Sequence, residues 1–374
     1  MTGREKRAIL KGETSGPSRP GKKETAMRYH LLRNPGHNRV YLKESTALCL
    51  GELALAVRSF ASPCSPPEPE ELGGAPALVL ESEDPLGEGE LERLFDLSFC
   101  YAVFAGENGS LRVLDRPGTS YFGEEISTIL KYPGKTNELF TRFLINLAAS
   151  SSAFAGQGGL TLLDPVAGRG TTLFEALRLG YSAAGVEISP KSVQECGGYL
   201  KKYLEQARCK HTLQKDRLSG PNRSFTAQRQ RFELARSKEE YGDPAARRSV
   251  TLIAGDSAYT DRYFPKNHFH LLVGDLPYGV AHGNQAGGRP QGRGNPTRNP
   301  SELLRACLPG WRRVLKPGGA MALSWNTFVL PRPQLEGLVE AAGFTVLRDP
   351  PYDSFCHRVD QAIRRDALVA RKEG

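Results

Sequence analysis

The chain reads as an α/β protein whose sheet is mostly parallel, closed by an antiparallel pair and preceded by a small α+β unit. Three observations predict this. From Leu160 onward, short apolar runs alternate with helix-length amphipathic segments, the pattern of strands joined by crossover helices. Two of those runs, Thr161-Leu162-Leu163 and Leu271-Leu272-Val273-Gly274, end directly in a carboxylate, Asp164 and Asp275. The first continues into the glycine turn Pro165-Val166-Ala167-Gly168-Arg169-Gly170 and the second into Leu276-Pro277-Tyr278-Gly279. Open α/β sheets bind ligands at the carboxyl ends of their parallel strands, so the two stretches are read as two walls of one site.

Taken in order, residues 1–27 form a basic arm rich in Lys, Arg, Gly, Ser and Pro, too poor in apolar groups to order itself. Met27 is a candidate natural start. Residues 28–115 read as the small α+β unit. It has strands at Arg39–Leu42, Ala77–Leu80 and Cys100–Ala105, helices at Thr46–Phe60 and Glu88–Leu97, and a Pro-rich break at Ser62–Pro69. Residues 116–374 hold the larger sheet. Lys131–Thr136 opens a helix whose Leu139, Phe140, Phe143, Leu144 and Leu147 share a face. Strands follow at Thr161–Leu163, Ser182–Val186, Val250–Ala254, Leu271–Gly274 and Ala320–Ser324. Helices are placed at Thr171–Leu179, Pro190–Cys209, Ser301–Leu315 and Glu336–Ala342, and Phe344–Leu347 with Asp366–Ala370 supplies the closing pair. Residues 210–248 are polar and basic without clear period and are read as an insertion.

The 374 residues are 39% hydrophobic, enough for one large α/β body and a smaller one. The formal charge of +9 is uneven: residues 1–27 carry +4 and residues 196–249 carry +7, leaving a nearly neutral remainder. A basic arm and a basic insertion on a neutral body suit a polyanion better than a small metabolite. The seven cysteines are scattered without a C-x-x-C pair, which points to reduced thiols in a cytoplasm rather than to a disulfide scaffold or zinc module. No apolar run is long enough to span a bilayer, so a soluble protein without a membrane partner is expected.

Asp164-Pro165-Val166-Ala167-Gly168-Arg169-Gly170 resembles the first nucleotide-binding motif of the class I S-adenosylmethionine-dependent methyltransferases, whose sheet is Rossmann-like. Two glycines allow a ligand to approach the backbone, and Thr171 and Thr172 open a helix whose free N–H groups can meet a carboxylate. The acid Glu187, followed by Ile188 after the second strand, stands where a ribose diol is taken. Asp256 and Ser257, after the third strand, resemble the motif that accepts the adenine amino group. Thr141 and Arg142, upstream of the glycine turn, match a segment that closes over the methionine part of S-adenosyl-L-methionine. Plainer readings exist: a structural turn for the glycines, a capping acid for Glu187, and core packing for Phe140.

Asp275-Leu276-Pro277-Tyr278 departs from the [Asp/Asn/Ser]-Pro-Pro-[aromatic] signature of amino-methyltransferases only at Leu276. An exocyclic base amine is a poor nucleophile because its lone pair is delocalised into the ring. A carboxylate and a neighbouring carbonyl can accept its two N–H bonds and orient it, while Tyr278 stacks on the extruded base. The Asp-Leu-Pro-aromatic-Gly form resembles the THUMP-associated tRNA guanosine-N2 methyltransferases, with a looser echo at Arg33-Asn34-Pro35-Gly36-His37-Asn38. Residues 28–115 are shorter than a THUMP domain with its ferredoxin-like partner. The resemblance implies an RNA methyltransferase acting on guanosine N2 in tRNA, with RNA as partner. DNA adenine-N6 or protein glutamine-N5 methylation, and a non-catalytic RNA-binding relative, are the alternatives. Residues 281–300, with Arg289, Arg293 and Arg298, read as a cationic loop beside the substrate, and His282 as a group in reach of the target or a phosphate.

Overall fold

The computed structural model describes residues 27–35, 45–107, 109–118, 120–132, 135–277 and 300–374. The strand expected at Arg39–Leu42, Tyr278, His282 and the cationic loop lie outside the described residues. The sequence from Met27 to Leu114 builds a five-stranded antiparallel sheet. Its strands are β1 (Met27–Arg33), β2 (Glu68–Leu72), β3 (Ala75–Ser82), β4 (Cys100–Glu107) and β5 (Ser110–Leu114), in the order β2-β3-β1-β4-β5. Met27 thus belongs to β1 rather than to the arm. Within Met27–Arg33, His30, Arg33 and the three residues flanking them as Tyr29, Leu31 and Leu32 hold the centre of the sheet, an apolar signal too short and too basic to stand out in sequence. Helices α1 (Thr46–Ala56) and α2 (Glu88–Phe95) complete the unit, and Leu53, Leu94, Leu78 and Val103 share its core.

The larger sheet has ten strands, as the alternating pattern predicts. Its parallel centre is β6 (Thr161–Asp164), β7 (Ser182–Glu187), β10 (Arg248–Ala254), β11 (Phe269–Asp275) and β12 (Leu315–Asn326). The order β13-β15-β12-β11-β6-β7-β10 places the first strand at the middle and reverses direction beside it, the topological switch of a doubly wound Rossmann-like sheet. The last strand, β15 (Arg364–Arg371), runs antiparallel between β12 and β13 (Thr345–Val346). Helices α3 (Glu138–Ser151), α4 (Thr171–Arg178) and α5 (Pro190–Gln206) contribute to the core on one face. Helices α6 (Pro300–Val314) and α7 (Arg332–Ala341) contribute to that on the other.

Residues 210–248 are not aperiodic in space. They hold a hairpin, β8 (Lys210–Ser219) and β9 (Thr226–Ala235), which extends the sheet antiparallel beyond β10. β8 is an edge strand with most side chains in solvent, so its sequence carries no period-2 signal; Phe232 and Leu234 of β9 are fully buried. Because Gln228 pairs with Ala254, the hairpin turn stands at the carboxyl end of β10. There Phe225 packs its ring against Tyr259 and Tyr263 at 5.2 and 5.6 Å.

The two sheets are joined through α1 and α3. Leu48 and Leu55 of α1 share a core with Phe143, Phe140 and Phe355. The buried Glu52 carboxylate accepts from Ser98 N–H at 2.9 Å and from Asn146 Nδ2 at 2.7 Å. A second polar seam runs from Arg116 to Asp96 at 2.6 Å and on to Arg178 of α4 at 3.4 Å.

Candidate functional site

Parallel pairing of Leu271 with Leu162 and Leu272 with Leu163 brings the ends of β6 and β11 to the same rim. Asp164 and Asp275 therefore share one crevice, with Glu187 on the next strand over. Asp164 is 3% exposed, and its Oδ1 accepts the Val166 N–H at 3.0 Å. Burial pushes its carboxyl up to about 7; Thr172 and Val166 hydrogen bonds oppose the rise, while the carboxylates of Asp275 and Glu187 add to it.

The turn after Asp164 is built on Gly168 and Gly170, both left-handed at φ +53° and +89°. A Cβ on Gly170 would come within 2.5 Å of Cys196 Sγ, so this glycine seats the turn on α5. A Cβ on Gly168 would meet nothing within 4 Å; it faces open space. Ala167 closes the turn, donating its N–H to Val186 O at 3.0 Å and accepting from Gly170 N–H at 2.8 Å. Glu187 accepts the Gly168 N–H at 3.0 Å on one oxygen and the Ser189 N–H at 2.8 Å on the other. Beside it Ile188 is 69% exposed, an apolar side chain on an otherwise polar lip.

Asp256 caps the short turn that follows, accepting the Ala258 N–H at 2.9 Å. Ser257 points inward: it is buried and accepts the Trp311 indole N–H at 3.1 Å. Thr171 is also buried, with its hydroxyl 3.2 Å from the Tyr132 hydroxyl. Tyr132 thus lies over the start of α4, with the Arg169 guanidinium stacked 4.6 Å above its ring.

At the β11 tip, Thr136 donates to Asp275 Oδ2 at 2.7 Å and Ser324 donates to Oδ1. Ser324 is the direct register partner of Asp275 on β12, and its carbonyl accepts the Leu276 N–H at 2.8 Å. Leu276 is 1% exposed in the core below, which anchors the tip where the family pattern has proline, and Pro277 is exposed.

Thr141 and Arg142 stand elsewhere than a ligand-closing role requires. Thr141 is buried and returns its hydroxyl to Asn137 O at 3.1 Å within α3. Arg142 donates to Glu175 at 2.9 Å and to Glu124 at 3.3 Å, a buried ion pair between α3 and α4. Phe140 is a core side chain. Sequence reading missed Tyr132, Thr136 and Ser324. The register of Ser324 with Asp275 was available from the strand assignments; Thr136 needs the tertiary fold.

Among the described residues, no group of three or more His, Cys, Asp or Glu side chains is placed to hold a metal ion. No described helix is long and apolar enough to cross a membrane.

By sequence the chain matches no family model and no curated protein. By structure it is similar to TrmN from Thermus thermophilus, with 14% identity, 92% of this chain and 99% of that chain covered, and a TM-score of 0.41. It is also similar to the 16S rRNA N2 methyltransferase RsmC of T. thermophilus in complex with AdoMet and guanosine, at 18% identity, 92% and 65% coverage and a TM-score of 0.35. A TehB-like SAM-dependent methyltransferase from Corynebacterium glutamicum aligns at 11% identity, with 62% and 85% coverage and a TM-score of 0.35.

Proposed function

We propose that this protein is an S-adenosylmethionine-dependent methyltransferase that modifies an exocyclic base amine in RNA, guanosine N2 in tRNA. The observation that carries the reading is the convergence of Asp164, Glu187 and Asp275 on one rim, with both oxygens of Asp275 fixed by the hydroxyls of Thr136 and Ser324.

The residues present fit the cofactor. Gly168 faces open space beside Glu187, whose carboxylate is held by two backbone N–H groups and is placed to accept a ribose diol. Exposed Ile188 offers an apolar surface to an adenine ring, and Asp256 stands at the next strand end to accept its amino group. When bound, S-adenosylmethionine supplies an electrophilic methyl group on a sulfonium centre.

The chain's own residues then orient the nucleophile. Asp275 accepts an N–H of the amine, the hydroxyls of Thr136 and Ser324 stop its carboxylate from rotating, and the Leu276 carbonyl is the neighbouring acceptor. Such fixed acceptors lower the barrier by positioning, since the amine arrives pre-oriented rather than being selected from solution geometries. The proposed cofactor set is Asp164, Ala167, Gly168, Gly170, Glu187, Ile188 and Asp256. Thr141, Arg142, Thr171 and Ser257 are left out because their polar atoms are engaged inside the fold.

Incubation of unmodified tRNA with the protein and methyl-labelled cofactor, followed by mass spectrometry of the nucleosides, tests the proposal. Label in N2-methylguanosine is the expected result. Label in N6-methyladenine or in protein would move the target to another amine, and no transfer to any of them would defeat the enzymatic reading.

A further inference from the structure

Next to the rim, between the amino-terminal unit and the start of α3, lies a cavity of about 490 Å³. Its apolar lining includes Phe99, Leu139 and Phe140, contributed by both units of the chain. Arg33 and Arg365 stand in the same lining. Arg33 is buried and donates to the hydroxyls of Ser45 and Thr46 at 2.9 Å each, which fixes its guanidinium. Arg365 lies 4.4 Å over the Phe140 ring. Lys135 also lines the cavity but is paired with Glu138, so the cationic character rests on the two arginines. Thr136 belongs to this lining and to the Asp275 hydrogen bond, so a single side chain separates the cavity from the β11 tip.

We propose that this cavity receives the extruded nucleobase and that Arg33 and Arg365 select guanine. The inference rests on the methyltransferase reading above and adds the substrate-determining residues to it. A base whose amine meets Asp275 extends past Thr136 into the cavity, against aromatic walls that suit the face of a ring. Guanine then turns its N2 amine toward the carboxylate and its O6 and N7 acceptors away from it, toward arginine, their commonest partner. In adenine the N7 acceptor lies beside the reacting amine itself, so the far edge of that ring offers arginine no matching pair of acceptors. The amino-terminal unit is on this view a wall of the substrate pocket, because Arg33 and Phe99 come from it.

Equilibrium binding of guanosine and of adenosine to the full chain tests the site without requiring turnover. The wild type should bind guanosine at least about tenfold more tightly than adenosine, the discrimination expected of one good base-edge contact. Leu139→Trp, which fills the cavity from the first turn of α3, should lose guanosine binding while its melting temperature stays at the wild-type value. Arg365→Gln should bring the two nucleosides toward equal affinity. Equal affinity in the wild type, or undiminished guanosine binding by a folded Leu139→Trp protein, overturns the proposal. The two readings fail separately. Guanosine bound in the cavity with no RNA amine methylated defeats the enzymatic reading alone. Methylation of guanine at the wild-type rate by Leu139→Trp defeats the cavity assignment alone.

Discussion

Asp275 owes its orientation to two hydroxyls from distant parts of the chain, Thr136, 139 residues upstream, and Ser324 on the neighbouring strand. Replacing Thr136 by Val keeps the side-chain shape and removes one donor. Methyl transfer should fall about tenfold, the size of one hydrogen bond to a charged group, with cofactor affinity unchanged in a direct titration. Asp164 gives a second test. Its folded-state carboxyl titrates near about 7, above its unfolded value, because it is buried. Between the two values the native state binds more protons than the unfolded one, so the stability this group contributes is present at low pH and is lost as pH rises toward 7. Asp164→Asn retains an acceptor for the Val166 N–H and escapes that loss. Melting curves should therefore favour the variant increasingly from about pH 5 to about pH 8. The wild type should in turn bind the sulfonium cofactor more tightly over the same rise, as the carboxylate ionises. The strand-tip acids were legible in sequence because strand ends and glycine turns are local patterns. Thr136 was not, since only the packed fold brings it to Asp275.

The elements show where local pattern fails. Strands buried on both faces, such as Leu271-Leu272-Val273, announce themselves as apolar runs, and all five parallel strands stand where those runs are. The β8–β9 hairpin announced nothing, because an edge strand exposes both of its faces and charge masks its alternation. Helix α3 carries an apolar stripe that was legible, but its Arg142 was read as a ligand group when it is the buried partner of Glu175. Glu175 is fully buried and also accepts from Ser127, so Glu175→Gln strands the Arg142 guanidinium in the interior. The cost should be about 3–5 kcal/mol in denaturant unfolding, with part of it recovered when Arg142→Met removes the orphaned charge as well.

For the whole molecule, the uneven charge now has a place. The hairpin carries Lys215, Arg217 and Arg223 as exposed side chains, and its turn stands at the rim that holds Asp164 and Asp275. A phosphate backbone laid along this rim would meet them. The double variant Arg217→Glu with Arg223→Glu should weaken tRNA binding and reduce the slope of log affinity against log salt by about 2, one unit per lost contact. Nucleoside binding in the cavity should not change. The central claim, that a methyl donor and a base amine meet at the β6 and β11 tips, is tested most directly by comparing single-turnover methyl transfer to tRNA in wild type and Asp275→Asn, with cofactor affinity measured on both. The account predicts a rate lower by about 10²-fold or more with an unchanged cofactor dissociation constant. Transfer at the wild-type rate, or loss of cofactor binding together with transfer, would contradict it.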